Sequence, residues 1–254
     1  MKNYVKIMKT VVCGNLRKLK TLVRYGNFQP REFVVDREKK IVYLVNSKVA
    51  CSSIKASICG GGADDDSIHT IVGKGGWIRR DVLPKNEQGF FKFTFVRDPF
   101  ARLVSCYESK YHHDKEFYKK QEFDFDHYLF GYIRRDEGFD RFIRKIVRIP
   151  NGLLEKHFLI QYDWTHDKKG RPLVDYIGKC ETLDDEFRPI QEKYGLKELP
   201  HFNKTHKKKK NWMDYYTLET ARLVYKKYRK DVEAFGYQDS YRRLISYLKK
   251  KEKA

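Results

Sequence analysis

The chain has 254 residues, 41% hydrophobic and 15% aromatic, enough to bury one large α/β domain or two small ones. Its net charge of +20 points to an anionic partner: nucleic acid, an anionic membrane or an acidic polysaccharide. No stretch has the length and apolarity of a membrane span or signal peptide, and five cysteines without C-x-x-C or Cys/His spacing argue against a disulfide framework and a structural zinc site.

A reducing, cytoplasmic compartment is the simplest expectation from the cysteines. Residues 1–20 are basic and mildly apolar, compatible with a short helix or with peripheral contact at a membrane surface. Phe33-Val34-Val35-Asp36 and Ile41-Val42-Tyr43-Leu44-Val45 read as two strands separated by Arg37-Glu38-Lys39-Lys40, a hairpin or an edge strand feeding a central one. The second strand breaks into Asn46-Ser47-Lys48-Val49-Ala50-Cys51-Ser52-Ser53 and then Ile54-Lys55-Ala56-Ser57-Ile58, the start of a helix with hydroxyl caps. A strand, a tight loop and a helix N-terminus make an anion site, because the unpaired N–H groups and the helix dipole favour negative charge. Lys48 would add a full charge there. The Walker pattern G-x-x-x-x-G-K-[ST] is absent, and a solvated lysine at a strand end is the competing reading.

Gly60-Gly61-Gly62 ends this helix. Asp64-Asp65-Asp66 on a glycine-rich loop reads as solvent-facing rather than metal-binding. His69 follows, before a second glycine-rich loop at 73–76, and is a candidate base by its place in the order. Phe91-Lys92-Phe93-Thr94-Phe95-Val96 is a strongly β-prone strand, and Asp98-Pro99 starts a helix with Asp98 as N-cap and proline at the first helical position. Arg97 then sits at the strand's C-terminal end, where open α/β sheets bind ligands and where a guanidinium can hold a phosphate through two parallel bonds. Ser105 lies two turns along the helix. An Arg97–Asp98 surface ion pair is the alternative.

Helices are expected through most of 117–149, with Phe139, Phe142, Ile143 and Ile146 as one apolar face. His157 precedes Phe158-Leu159-Ile160-Gln161. A strand is expected across 174–181, then an amphipathic helix marked by Leu183, Phe187, Ile190 and Tyr194 and ended by Gly195. A basic loop containing Lys204 and Thr205 runs into Lys207-Lys208-Lys209-Lys210, and one long helix is expected over 218–235, followed by a basic tail. No linker rich in proline, glycine or serine divides the chain. The expected organisation is one domain with its core at about 31–237, flanked by basic segments 1–30 and 238–254.

The two strand–loop–helix segments, in this order, resemble the motifs by which carbohydrate sulfotransferases bind PAPS (3′-phosphoadenosine 5′-phosphosulfate). Asn46-Ser47-Lys48-Val49-Ala50-Cys51-Ser52-Ser53 looks like the 5′-phosphosulfate loop, and the Phe95-Val96-Arg97-Asp98-Pro99-Phe100-Ala101-Arg102-Leu103-Val104-Ser105 run looks like the 3′-phosphate motif. Agreement continues through His157 to Gln161, Tyr176-Ile177-Gly178-Lys179-Cys180-Glu181-Thr182-Leu183 and Pro200-His201-Phe202-Asn203-Lys204-Thr205. Departures are Ser47 where the family often has proline, and His157-Phe158 where a histidine–tryptophan pair is common. A Golgi anchor and lumenal disulfides are not evident in the sequence, so a soluble, bacterial-type member is expected.

The resemblance implies an α/β fold with a central parallel sheet flanked by helices, P-loop-like, and sulfuryl transfer from PAPS to a sugar hydroxyl, with an oligo- or polysaccharide as acceptor. It implies that Lys48 stabilises the leaving group and that Ala50, Cys51, Ser52 and Ser53 hold the 5′-phosphate. Arg97 and Ser105 would hold the 3′-phosphate, Lys204 and Thr205 would also contact the cofactor, and no metal is required. His69 is the first candidate for the base and His157 the second. The competing classes are a nucleotide-dependent kinase, which lacks the Walker glycines, and a non-enzymatic nucleic-acid binder, which leaves both phosphate motifs unexplained.

Overall fold

A computed structural model describes residues 29–60, 67–80, 82–111, 128–129, 131–134, 136–200 and 211–253, with 16, 19 and 23. The chain groups into two units that interleave along the sequence. One comprises residues 31–98 and 161–210, the other 1–30, 99–160 and 211–254.

The first unit is built on a five-stranded sheet. Strand β1 (Glu32–Asp36) turns through Arg37–Lys40 into β2 (Ile41–Leu44), and the two pair antiparallel from Phe33↔Leu44 to Asp36↔Ile41. Lys40 closes this turn at φ 53, and Asp36 Oδ1 accepts from the Lys39 N–H at 2.9 Å. Helices α1 (Cys51–Ile58) and α2 (Ser67–Lys74) follow, then a short strand β3 (Ile78–Arg80), which pairs antiparallel with β1. Strand β4 (Phe91–Val96) runs parallel to β2, and β5 (Tyr176–Lys179) runs parallel to β4. The order is β3-β1-β2-β4-β5. The sheet is therefore mixed: its parallel part is β2, β4 and β5, and β1 and then β3 extend it on one side by antiparallel pairing.

Both faces of β2 are buried, which explains its unbroken apolar run Ile41-Val42-Tyr43-Leu44. On one face Tyr43 stacks on Phe93 (5.4 Å between centroids), and Phe93 and Phe95 meet Phe187 of helix α6 (Leu183–Tyr194). Each of these aromatics is fully enclosed. Gly178 in β5 is required by this packing, because a Cβ there would overlap the Phe95 ring and Glu186 Oε2. Helix α6 ends at Gly195, φ 58, as its sequence predicts. Between β4 and β5 the chain passes through the other unit over 99–160 and returns to this one at the short helix α5 (Gln161–Thr165).

The second unit is helical: α3 (Pro99–Lys110), α4 (Phe139–Arg148), α7 (Leu218–Lys227), α8 (Arg229–Ala234) and α9 (Gln238–Lys253). The expected apolar face of α4, Phe139, Phe142, Ile143 and Ile146, is buried. Two expectations change here. The predicted single helix over 218–235 is broken at Tyr228 (φ −104, ψ 23), whose enclosed hydroxyl donates to Phe158 O. The basic tail, assigned no element from its sequence, forms α9, a helix of 16 residues with Leu244 and Leu248 buried four apart. Tyr241 of α9 stacks between Phe100 (5.6 Å) and Tyr225 (4.3 Å), so the lysines form only the outer face of a packed helix. No helix among the described residues is long and apolar enough to cross a membrane.

Candidate active site

Strands β2 and β4 lie side by side, and their recorded ladder runs from Ile41↔Phe91 to Tyr43↔Phe93. Past that point side chains take over from the backbone ladder. The Thr94 hydroxyl donates to Leu44 O at 2.7 Å, the Trp164 indole N–H to Val45 O at 2.9 Å, and the Asn46 amide to Phe95 O at 3.0 Å. This is the C-terminal end of two neighbouring parallel strands, where open α/β sheets place ligand-binding loops.

The loop after β2 carries two non-glycine residues in the left-handed region, Lys48 at φ 66 and Ala50 at φ 49, ψ 27. Each costs about 1 kcal/mol or more, a type of strain that concentrates at functional loops. Ala50 is the N-cap residue of α1 and has no side-chain group to cap with, so the predicted hydroxyl caps are corrected. Ser52 and Ser53 stand in the helix's first turn instead, half-buried beside Cys51. Lys48 is also half-buried, while Ser47, where the sequence departs from proline, is 7% exposed. The arrangement is a helix N-terminus entered from a strained lysine-bearing loop, which suits an anion.

Arg97 follows β4 directly and is half-buried. Its guanidinium Nη1 donates to the Lys48 carbonyl at 3.2 Å, which joins the two loops. The surface ion pair with Asp98 is not the arrangement adopted. Asp98 is 5% exposed, and its backbone N–H donates to Glu181 Oε1 at 2.8 Å. Cys180, beside this site in sequence from β5, is pushed up to about 11 by burial, with Arg97 pulling it the other way. It is a neutral thiol at physiological pH and offers no thiolate nucleophile.

Gln161 was visible in the sequence only as the end of a matching segment. It is fully buried and holds Arg97 by both backbone groups: Oε1 accepts from the Arg97 N–H at 2.9 Å and Nε2 donates to Arg97 O at 2.7 Å. The same Oε1 accepts from Asn46 Nδ2 at 3.1 Å. One amide thus bonds to residues from both loops.

The remaining predicted residues belong to other segments of the chain. His69 is on α2, and its side chain is outside the described part, as are residues 201–210 with Lys204 and Thr205. Ser105 is half-buried on α3 in the helical unit. His157 is also in the helical unit, on a turn, with its side chain 14% exposed. Glu155, which no sequence motif marks, holds it: Glu155 Oε2 bonds His157 Nδ1 at 2.7 Å and accepts from the His157 backbone N–H at 2.8 Å. Burial pushes the His157 imidazole below its ordinary value, and Glu155 pulls it partly back. The turn is fixed by Arg102, which is 1% exposed and donates to Leu159 O at 2.7 Å and Lys156 O at 2.9 Å. Arg102 and Arg97 are five residues apart in one motif yet serve different ends, one packing the turn and one facing the loop.

A sequence model of the sulfotransferase family matches residues 31–238. Among curated proteins the chain is 28% identical to carbohydrate sulfotransferase 10 of Xenopus laevis over 170 residues, covering 59% of this chain and 48% of that one. It is 26% identical to carbohydrate sulfotransferase 14 of Danio rerio over 237 residues (82% and 62%), and 23% identical to carbohydrate sulfotransferase 12 of Mus musculus over 262 residues (83% and 61%). The chain thus spans between about half and about three fifths of the length of these relatives. No solved structure gives a significant match. On the family match, which runs from the start of β1 through both loops to the start of α9, the chain belongs to the sulfotransferase family.

Proposed function

We propose that the protein transfers a sulfuryl group from PAPS to a hydroxyl of a carbohydrate, with an oligo- or polysaccharide as acceptor. The observation that carries this reading is the bond from Arg97 to the Lys48 carbonyl, which ties two cationic loops together at the ends of adjacent parallel strands. A nucleotide with phosphates at both its 5′ and 3′ positions matches a donor set of this kind. The lysine loop and the first turn of α1 suit one phosphate, and Arg97 suits the other. The strand–loop–helix arrangement is in this sense P-loop-like, with the lysine ahead of the small residues. The family match runs across both units, which supports reading them as one sulfotransferase domain.

PAPS, when bound, supplies an activated sulfuryl group. The chain's own residues then have separate tasks. The backbone N–H groups of 50–53 and the hydroxyls of Ser52 and Ser53 hold the 5′-phosphate. Lys48 stabilises negative charge on the oxygen that the sulfur leaves, which is the main electrostatic demand of an in-line displacement with a loose transition state. Arg97 and, from the resemblance, Ser105 recognise the 3′-phosphate, with Lys204 and Thr205 as further contacts. A base removes the acceptor hydroxyl's proton as its oxygen bonds to sulfur. His69 and His157 are the candidates. What supports His157 is the bond from its Nδ1 to buried Glu155, which orients the ring and stabilises the imidazolium formed when the ring accepts a proton, against the burial that lowers its proton affinity.

The relatives' names support a carbohydrate acceptor. The net charge of +20 favours an acidic polymer, drawn in by long-range attraction that salt would weaken. A reducing, cytoplasmic location rests on the odd cysteine count. The test is incubation with sulfur-labelled PAPS and a panel of neutral and uronic-acid glycans at low and high salt. Labelled uronic-acid polymer, with a rate that falls as salt rises, supports the reading. Equal labelling of neutral glycans at both salts overturns the acidic acceptor, and no labelled glycan overturns the function.

A further inference from the structure

We infer that Gln161 is a positioning residue that fixes the spacing between the two phosphate loops, and so sets how strongly the site prefers a nucleotide carrying both phosphates. The inference rests on the PAPS reading and goes beyond it, because Gln161 need not touch the ligand.

The argument starts from the backbone. Where the β2–β4 ladder gives way, the N–H and C=O of Arg97 need partners, since a buried unpaired peptide group is costly. Gln161 supplies both from one side-chain amide, at 2.9 Å and 2.7 Å, as a neighbouring strand would. Its Oε1 is shared with Asn46 Nδ2 at 3.1 Å, and the Asn46 amide also donates to Phe95 O at 3.0 Å. The residue after β4 and the second residue after β2 are therefore linked through a single enclosed group.

The support for Gln161 is itself anchored to the same strands. It opens α5, and three residues on, Trp164 donates to Val45 O at 2.9 Å. The C-terminal end of α5 is held from the hairpin side, with Arg31 donating to Asp163 O at 3.0 Å, Trp164 O at 2.9 Å and, just past the helix, His166 O at 3.2 Å. Helix α5 is thus a brace across the ends of β2 and β4. Its five residues are otherwise a weak helix, well below the length that is stable alone.

A brace between two half-sites acts on a ligand that engages both. Adenosine 3′,5′-bisphosphate needs both loops at one spacing, whereas adenosine 5′-monophosphate needs only the lysine loop. The experiment measures dissociation constants for these two nucleotides with the wild type, Gln161→Met and Gln161→Glu, each checked for a cooperative melt. Gln161→Met keeps the volume and loses both bonds to Arg97. Its preference for the bisphosphate should fall by about tenfold or more, the cost of leaving a buried polar group unpaired, while monophosphate affinity changes far less. Gln161→Glu keeps the acceptor and loses the donor, so its preference should also fall, and it decides the matter should the methionine variant not fold. Equal weakening of both nucleotides, or an unchanged preference, would overturn the positioning role. A wild type with no preference for the bisphosphate would instead sink the PAPS reading, and the inference with it.

Discussion

The guanidinium of Arg97 reaches the main-chain carbonyl of Lys48, 3.2 Å away, so the cation of the second motif is bonded to the backbone of the first. A guanidinium has five N–H donors in a fixed fork, and this contact uses one direction of it. Arg97→Ala should weaken binding of adenosine 3′,5′-bisphosphate by about 2–5 kcal/mol, as expected when one partner of a desolvated charge pair is removed. Arg97→Lys should recover little, because an ammonium cannot serve the carbonyl and a phosphate with the same planar geometry. Titration calorimetry of the two variants checks both outcomes, and full recovery in the lysine variant would reduce Arg97 to a point charge.

Lys48 sits at φ 66, where glycine is at ease and alanine is not. Lys48→Ala and Lys48→Gly should therefore both abolish turnover, and the glycine variant should unfold no more easily than the alanine one. Initial rates and thermal melts of the pair separate the chemistry of the side chain from the strain of the loop. Turnover in either variant near the wild-type rate would remove Lys48 from the mechanism.

Buried Arg102 should behave oppositely to Arg97. Burial disfavours its charge and Asp231, also fully buried, counteracts that, while its donors hold the carbonyls of Lys156 and Leu159. Arg102→Met leaves Asp231 without that charge and should cost about 3–5 kcal/mol of stability, read from urea unfolding. Bisphosphate affinity, measured on the fraction that folds, should change less than in Arg97→Ala.

For the base, one of His69→Ala and His157→Ala should lower turnover by about 10²–10⁴ and the other should not. His157 also predicts a pH dependence of stability. Its native proton affinity is depressed by burial, so below its ordinary pKa the unfolded chain binds the proton first. This contribution is fully present above about pH 6.5 and is lost as pH falls below that value. Melts between pH 5 and 8 should be less steep in His157→Asn than in the wild type. Parallel curves would mean that the imidazole titrates as it does in the unfolded chain.

The segments that carry the anion site were legible because local rules and burial agree there. Phe91–Val96 is β-prone and buried over its last four residues, Pro99 begins α3, and the hairpin from Glu32 to Leu44 follows two continuous apolar runs. The antiparallel strands on one side of the sheet were less so, since β3 has three residues and no apolar alternation of its own. Lysines at 249–251 hid the packed face of α9, because its apolar stripe of Tyr241, Leu244, Ile245 and Leu248 is set among many charges. At the break, the Tyr228 hydroxyl bonds to a distant carbonyl, a contact that no local pattern encodes. The same holds for Gln161 and Glu155. Their importance lies in which backbone or ring they meet, and that is decided by chain segments far away in sequence or, for Glu155, by a turn with no periodicity.

Titration calorimetry of the wild type with adenosine 3′,5′-bisphosphate and with ATP, each with and without Mg²⁺, tests the central claim most directly. The two tied cationic loops predict tight bisphosphate binding that does not depend on the metal, with ATP weaker. Binding of ATP alone, and only with Mg²⁺, would contradict it and place the chain's chemistry with phosphoryl rather than sulfuryl transfer.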